Sequence, residues 1–127
     1  MIAAVCLALN VYFEARSEPI IAQFAVAQVT INRVQSELYP DTVCDVVWQP
    51  RQFSWTHDGK SDKPKEVEAW HTAQWVAKLA LRDNGKFLYV VPTSAVHYHA
   101  DYVKPYWIKE CVRVSQIGSH IFYKKKI

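Results

Sequence analysis

Glycine is scarce in this sequence. Three glycines in 127 residues leave no material for a Gly-rich loop around phosphates, so a nucleotide-binding reading has nothing to rest on. Cysteine is equally thin. Cys6, Cys44 and Cys111, odd in number and widely spaced, make neither a disulfide framework nor a zinc ribbon. They are expected as mostly buried thiols of a chain made in a reducing compartment, with room for one disulfide. No apolar run reaches the ~20 residues that a membrane-spanning helix needs, so no stable membrane association is expected. A strong charge of one sign is missing too. Fifteen Lys and Arg stand against 12 Asp and Glu, a net +3, which is not the footprint of a nucleic-acid binder. It suits weak attraction to an anionic polymer. Part of the excess, Lys124, Lys125 and Lys126, reads as a solvated terminus.

What is present is apolar and aromatic. Half of the residues are apolar and 13% are aromatic, enough for one compact domain over residues 1–127, monomeric and without a stabilising metal. The opening, MIAAVCLALNVYFEA, resembles a short signal peptide but has no positive n-region, and its apolar run of about eight residues is at the short end. It reads instead as a first core helix over 2–16, with Val5, Leu9 and Tyr12 on one stripe. Pro19 pushes Glu18 out of helical geometry and opens a second helix over 19–36. Its stripe is Ile20, Phe24, Ala27, Ile31 and Val34. Asp41 is expected to cap a short helix through Val47. A third long helix is expected over 65–84, with Trp70, Ala73, Ala77 and Leu81 inward and Asn84-Gly85 as its stop. Residues 94–100 alternate, with His97 and His99 on one face and Val96 and Tyr98 on the other. Residues 111–117 and 119–124 read as two strands around Gly118. The fold class is α+β, mostly helical, with a small late antiparallel sheet.

Glu14 is the first candidate for chemistry. It lies in the last turn of the first helix beside Tyr12 and Phe13. Desolvation there raises a carboxyl pKa, and the negative end of the helix pushes the same way, so the group can serve as a general acid near neutral pH. The plain alternative is a surface pair with Arg16. Asn10 stands one turn earlier on the same side, placed to orient that carboxyl group or to hydrate. His97 and His99, with His120, admit a zinc site, but no H-E-x-x-H or cysteine pair supports one. They equally make a polar strand face lining a cleft. Gln52, Phe53, Ser54 and Trp55 put two aromatics and two polar groups in one loop, which suits sugar binding or a hydrophobic plug. Trp107 after Pro105 is of the same kind.

Several blocks in order carry a family resemblance: YFEARSEP (12–19), AQFAVAQVTINRV (22–34), YPDTVCDVVWQPRQFSW (39–55), HYHADYVKPYW (97–107) and IGSHIFYK (117–124). The chain resembles the SleB/CwlJ-type cell-wall hydrolases, found among spore-cortex-lytic enzymes and phage endolysins. The resemblance implies a lysozyme-like, lytic-transglycosylase-like fold acting on peptidoglycan glycan strands, without a cofactor. It places the catalytic acid on Glu14 and the substrate cleft on Gln52, Phe53, Ser54, Trp55, His97, Tyr98 and His99. Ser17 and Arg51 depart from the pattern, since glycine is usual at both, and side chains there are expected to strain turns that glycine permits. A bare catalytic domain with no evident signal looks like a phage endolysin, made in the host cytoplasm and acting on the wall, in the periplasm or spore cortex. The expected reaction cleaves the MurNAc–GlcNAc β-1,4 bond, by lytic transglycosylation or by muramidase hydrolysis. A metal-dependent amidase built on His97, His99 and His120, and a non-catalytic wall-binding module, are the alternatives.

Overall fold

The computed structural model describes residues 2–87 and 89–126. Four α-helices come first: α1 (Ala3–Ala15), α2 (Ile20–Val34), α3 (Val43–Val47) and α4 (Val67–Ala80). Three strands follow, β1 (Ala95–Ala100), β2 (Cys111–Ile117) and β3 (His120–Lys125), in the antiparallel order β1-β3-β2. This is the α+β domain expected, mostly helical with a small late sheet. Among the described residues no helix is long and apolar enough to cross a membrane.

The central element is α2. Every residue from Ala22 to Arg33 is buried, because α1, α3 and α4 cover one side and the sheet covers the other. Phe24, Ala27 and Ile31 join the helical core, while Ala25, Val26 and Val29 pack with Val91, Ala95 and Phe122 under the sheet. Buried polar groups need partners, and Gln28, Asn32 and Arg33 of α2 find them in the connector that leads into β1 and in the first residues of that strand. Gln28 Oε1 accepts from the Val90 and Val91 amides at 2.7 and 3.0 Å, and its Nε2 donates to Val91 O at 2.7 Å. Asn32 Nδ2 donates to the Pro92 and Ala95 carbonyls, and Arg33 Nε to Val96 O at 2.8 Å. These bonds fix β1 against α2 and so fix where Tyr98 can reach.

Three local expectations are corrected. Thr42, not Asp41, caps α3: its Oγ1 accepts from Asp45 N at 3.1 Å. A capping side chain reaches the second or third helical amide, and Asp41 stands one residue too early. The helix expected over 65–84 is α4, which ends at Ala80. Asp83, Asn84 and Gly85 are all left-handed (φ 54°, 55° and 81°) and form a separate tight turn. Only glycine fits the last place, since a Cβ on Gly85 would meet Ile31 Cγ2 at 2.6 Å. The third correction concerns the cysteines. Cys6 and Cys44 are not thiols but a disulfide joining α1 to α3, and Cys111 alone keeps its thiol.

Candidate active site

Glu14 sits half-buried in the last turn of α1. Pro19 stops the helix soon after it, so the carboxyl group faces a groove instead of another turn. Three cavities of about 780, 510 and 540 Å³ share Glu14 in their walls. The third shares Phe13, Ser17 and Tyr102 with the first, and Gln52, Tyr98 and Trp107 with the second. Together they make one groove with Glu14 at its middle.

The Tyr98 hydroxyl donates to Glu14 Oε1 at 2.6 Å. Burial pushes the Glu14 pKa above its ordinary value; the Tyr98 bond and the buried Arg33 cation oppose this without cancelling it. Tyr98 is itself pushed well above its ordinary value, first by burial and then by Glu14, so it stays a donor. Arg16 is not the partner of Glu14; it pairs with Glu66 at 2.5 Å.

Asn10 is fully buried one turn below Glu14. Its Oδ1 accepts from Trp55 Nε1 at 2.8 Å, and its amide nitrogen has no well-formed hydrogen bond. That nitrogen lies close enough to the Tyr98 oxygen to favour its ionised form. Trp55, Asn10, Tyr98 and Glu14 thus stand in sequence from the core to the groove. Trp55 itself is buried, stacked on Phe13 at 4.9 Å and edge-on to Trp48 at 5.0 Å, away from the cavities.

The other expected cleft residues divide. Gln52 lines two of the cavities and accepts from Arg33 Nη1 at 3.1 Å. Phe53 is buried, with one edge on the groove and its face against Tyr98 and Arg33. Ser54 lines the 540 Å³ cavity. His97 and His99 do share a face, and Trp107 stands between them at 4.9 and 5.7 Å. His97 Nε2 meets Tyr39 Oη at 3.3 Å, and His99 Nε2 meets Tyr123 Oη at 2.8 Å. His120 lies beside Glu18 instead. The three histidines do not converge, and among the described residues no three His, Cys, Asp or Glu are grouped to hold a metal.

Two departures from the family pattern separate. Arg51 is left-handed at φ 65°, the conformation expected of a glycine position, whereas Ser17 is not among the left-handed residues. The residues that sequence reasoning passed over are Arg33, Glu66 and Tyr102. Arg33 was the most visible, a cation inside the apolar pattern of α2.

Glu18 lies in the corner expected of it, and it is engaged there. Its carboxylate accepts from Ser119 N at 2.8 Å and Ser119 Oγ at 2.6 Å. Burial favours the neutral acid, but these bonds and His120 outweigh it and hold the pKa below the ordinary value. His120, 3.6 Å away, is pushed down by burial against the pull of Glu18, so at neutral pH the pair is a carboxylate beside a neutral imidazole. Glu18 thus ties the α1–α2 corner to the β2–β3 turn, where a Cβ on Gly118 would meet Glu18 Oε1 at 2.5 Å. Glu18→Gln is expected to cost about 1–3 kcal/mol at pH 7 and to leave activity within a few-fold. Because the folded pKa is depressed, this contribution is present above the unfolded value and fades as pH falls through the folded one. Denaturant unfolding of both proteins at pH 7 and pH 3 checks this: the gap should narrow in acid.

Residues 17–123 match the family model described as Cell Wall Hydrolase. A spore cortex-lytic enzyme of Oceanobacillus iheyensis is 36% identical over 123 residues, covering 93% of this chain and 40% of that protein. One from Bacillus subtilis is 32% identical, covering 91% and 35%. The chain thus spans about two fifths or less of these relatives. Among solved structures, the catalytic domain of the germination-specific lytic transglycosylase SleB from Bacillus anthracis superposes with a TM-score of 0.77 at 33% identity, covering 96% of this chain and 93% of that one. The Bacillus cereus SleB catalytic domain gives 0.65 at 27%, covering 96% and 90%.

Proposed function

This chain belongs to the cell wall hydrolase family, and from that premise we propose that it cleaves the β-1,4 bond between N-acetylmuramic acid and N-acetylglucosamine as a lytic transglycosylase. The observation that carries this reading is a single carboxyl group, Glu14, raised in pKa and held by Tyr98 at the middle of an open groove. Protonated Glu14 gives its proton to the glycosidic oxygen as the C1–O bond breaks. The 4-hydroxyl of the glucosamine leaves. The carboxylate then takes the proton of the muramic acid 6-hydroxyl as that oxygen bonds to C1. The product is a 1,6-anhydro ring, and Glu14 ends protonated again.

The neighbouring acids favour this route over hydrolysis. A retaining or inverting glycosidase needs a second carboxylate placed across the scissile bond. Glu18 is bound by Ser119 and Glu66 by Arg16, Glu68 and Glu110 each line one outer arm and not the 540 Å³ cavity that joins the arms, and no aspartate lines any of the three. The substrate's own hydroxyl fills the role. The Cys6–Cys44 disulfide fits a protein that works outside a reducing cytoplasm, at the wall.

Mass spectrometry of the fragments released from purified sacculi tests this. Disaccharide-peptides ending in 1,6-anhydro-muramic acid are expected. Free peptide stems with intact glycan would overturn it in favour of an amidase.

A further inference from the structure

The groove is unevenly charged. Its 510 Å³ arm is lined by Arg33, Arg51, Lys125 and Lys126, with Glu110 and Glu14 as the only acids among the described residues. The 780 Å³ arm on the other side has Arg16 facing Glu66 and Glu68 beside Glu14. Glu14 therefore stands between a basic end and an acidic one.

The basic end is built into the fold. Arg33 is 4% exposed, clamped between the Tyr39 and Phe53 rings at 5.0 and 5.1 Å. Its bonds to Val96 O and Gln52 Oε1 account for two of its five N–H groups. Arg51 lines the same arm from a left-handed backbone, a conformation that costs energy for a residue with a Cβ. Lys125 and Lys126 are exposed, as expected of a solvated terminus, and both line the mouth of the arm. Lys125 Nζ lies 5.5 Å from the Tyr39 ring, and Lys126 Nζ donates to Lys109 O at 2.6 Å. His97, in the same wall, reports the field: burial, Arg33 and Lys125 push its pKa down to about 4.

We propose that this arm is a carboxylate subsite. It takes a carboxylate carried on the muramic acid side of the strand, that of the peptide stem or, where no stem is attached, that of the lactyl group, and so fixes which way the strand lies over Glu14. The proposal rests on the groove being the glycan site. Four cations converging on one end of a neutral sugar groove serve no sugar hydroxyl better than neutral donors would. They match an anion, for which bidentate Arg is suited.

Three substrates separate the sources: stem-bearing strands, whose carboxylates are all on the peptide, amidase-stripped strands, whose lactyl carboxylates are freed by the cleavage, and stem-bearing strands whose carboxylates are converted to methylamides. For the wild type, methylamidation is expected to raise KM on the order of tenfold with kcat little moved. Full affinity for stripped strands shows that a freed lactyl carboxylate fits the subsite as well as the stem does, and its loss restricts the subsite to the stem. Arg51→Gly relieves the backbone strain and keeps the fold, which thermal unfolding checks. In that variant, and in Lys125→Gln, the KM ratio between native and methylamide strands should shrink toward one. An unchanged wild-type KM on methylamide strands, or an undiminished ratio in both variants, would overturn the subsite. Co-sedimentation of Glu14→Gln protein with the same strands reads the subsite without turnover. Anhydro products without carboxylate dependence would therefore sink the subsite alone, and carboxylate-dependent binding without glycan cleavage would sink the reaction alone.

Discussion

Glu14→Gln is expected to lower the rate of strand cleavage by roughly 10²–10⁴-fold, the usual worth of a general acid–base group, while the protein folds as before. The carboxamide keeps the shape of the side chain and an oxygen to accept from the Tyr98 hydroxyl, but it has no proton to pass to the leaving oxygen. Binding of strands should persist, because the rest of the groove wall is untouched. Stability should hold or rise slightly at neutral pH. The folded pKa of Glu14 is raised above the unfolded value, so its favourable contribution is complete only below the unfolded value and is lost as pH rises through the folded one. Glutamine does not titrate and escapes that loss. For the same reason, wild-type kcat/KM should fall as pH rises through a value above the ordinary 4.5 of a glutamate. Activity of Glu14→Gln above a few per cent of wild type, with binding unchanged, would remove Glu14 from the centre of the reaction.

The second large effect is on stability. Cys6 and Cys44 close a loop across a sequence separation of 38 residues, and in the chain-entropy view such a crosslink is worth about 4 kcal/mol through the unfolded state. The double variant Cys6→Ala/Cys44→Ala should lose most of that in denaturant unfolding, with its active-site chemistry retained below the new transition. Dithiothreitol should reproduce the loss in the wild type and add nothing to the variant. Equal midpoints for oxidised and reduced wild-type protein would show that the crosslink does not hold α3 to α1. Glu14 lies two turns of α1 beyond Cys6, which is why chemistry should survive the change.

Much of this was legible in the sequence, and the reasons are local. Pro19, Asn84-Gly85 and Gly118 act through their own backbone geometry, so the α1–α2 corner and the β2–β3 turn could be placed from single residues. Strand alternation put His97 and His99 on one face, where Trp107 fills the space between them. What was illegible depends on partners far along the chain. A stripe on α2 was visible, but its burial on all sides was not, because that comes from a sheet some 60 residues later. Gln28 and Asn32 look like ordinary helix polar residues until the 90–95 segment lies on them. Glu18 could be placed in a corner, but not against Ser119, 101 residues away. Cys6 and Cys44 could not be paired from spacing, since three cysteines offer three choices. The basic arm escaped notice because it joins Arg33 and Arg51 to Lys125 and Lys126, residues far apart in the chain.

The central claim is that Glu14 works without a second protein carboxylate and that the muramic acid 6-hydroxyl closes on its own C1. Digestion of purified sacculi in ¹⁸O-enriched water, followed by mass spectrometry of the released muropeptides, tests it most directly. The account predicts 1,6-anhydro ends, lighter by one water than reducing ends and free of label. Reducing-end muramic acid carrying one ¹⁸O would contradict it and would require a water-activating carboxylate across the groove from Glu14.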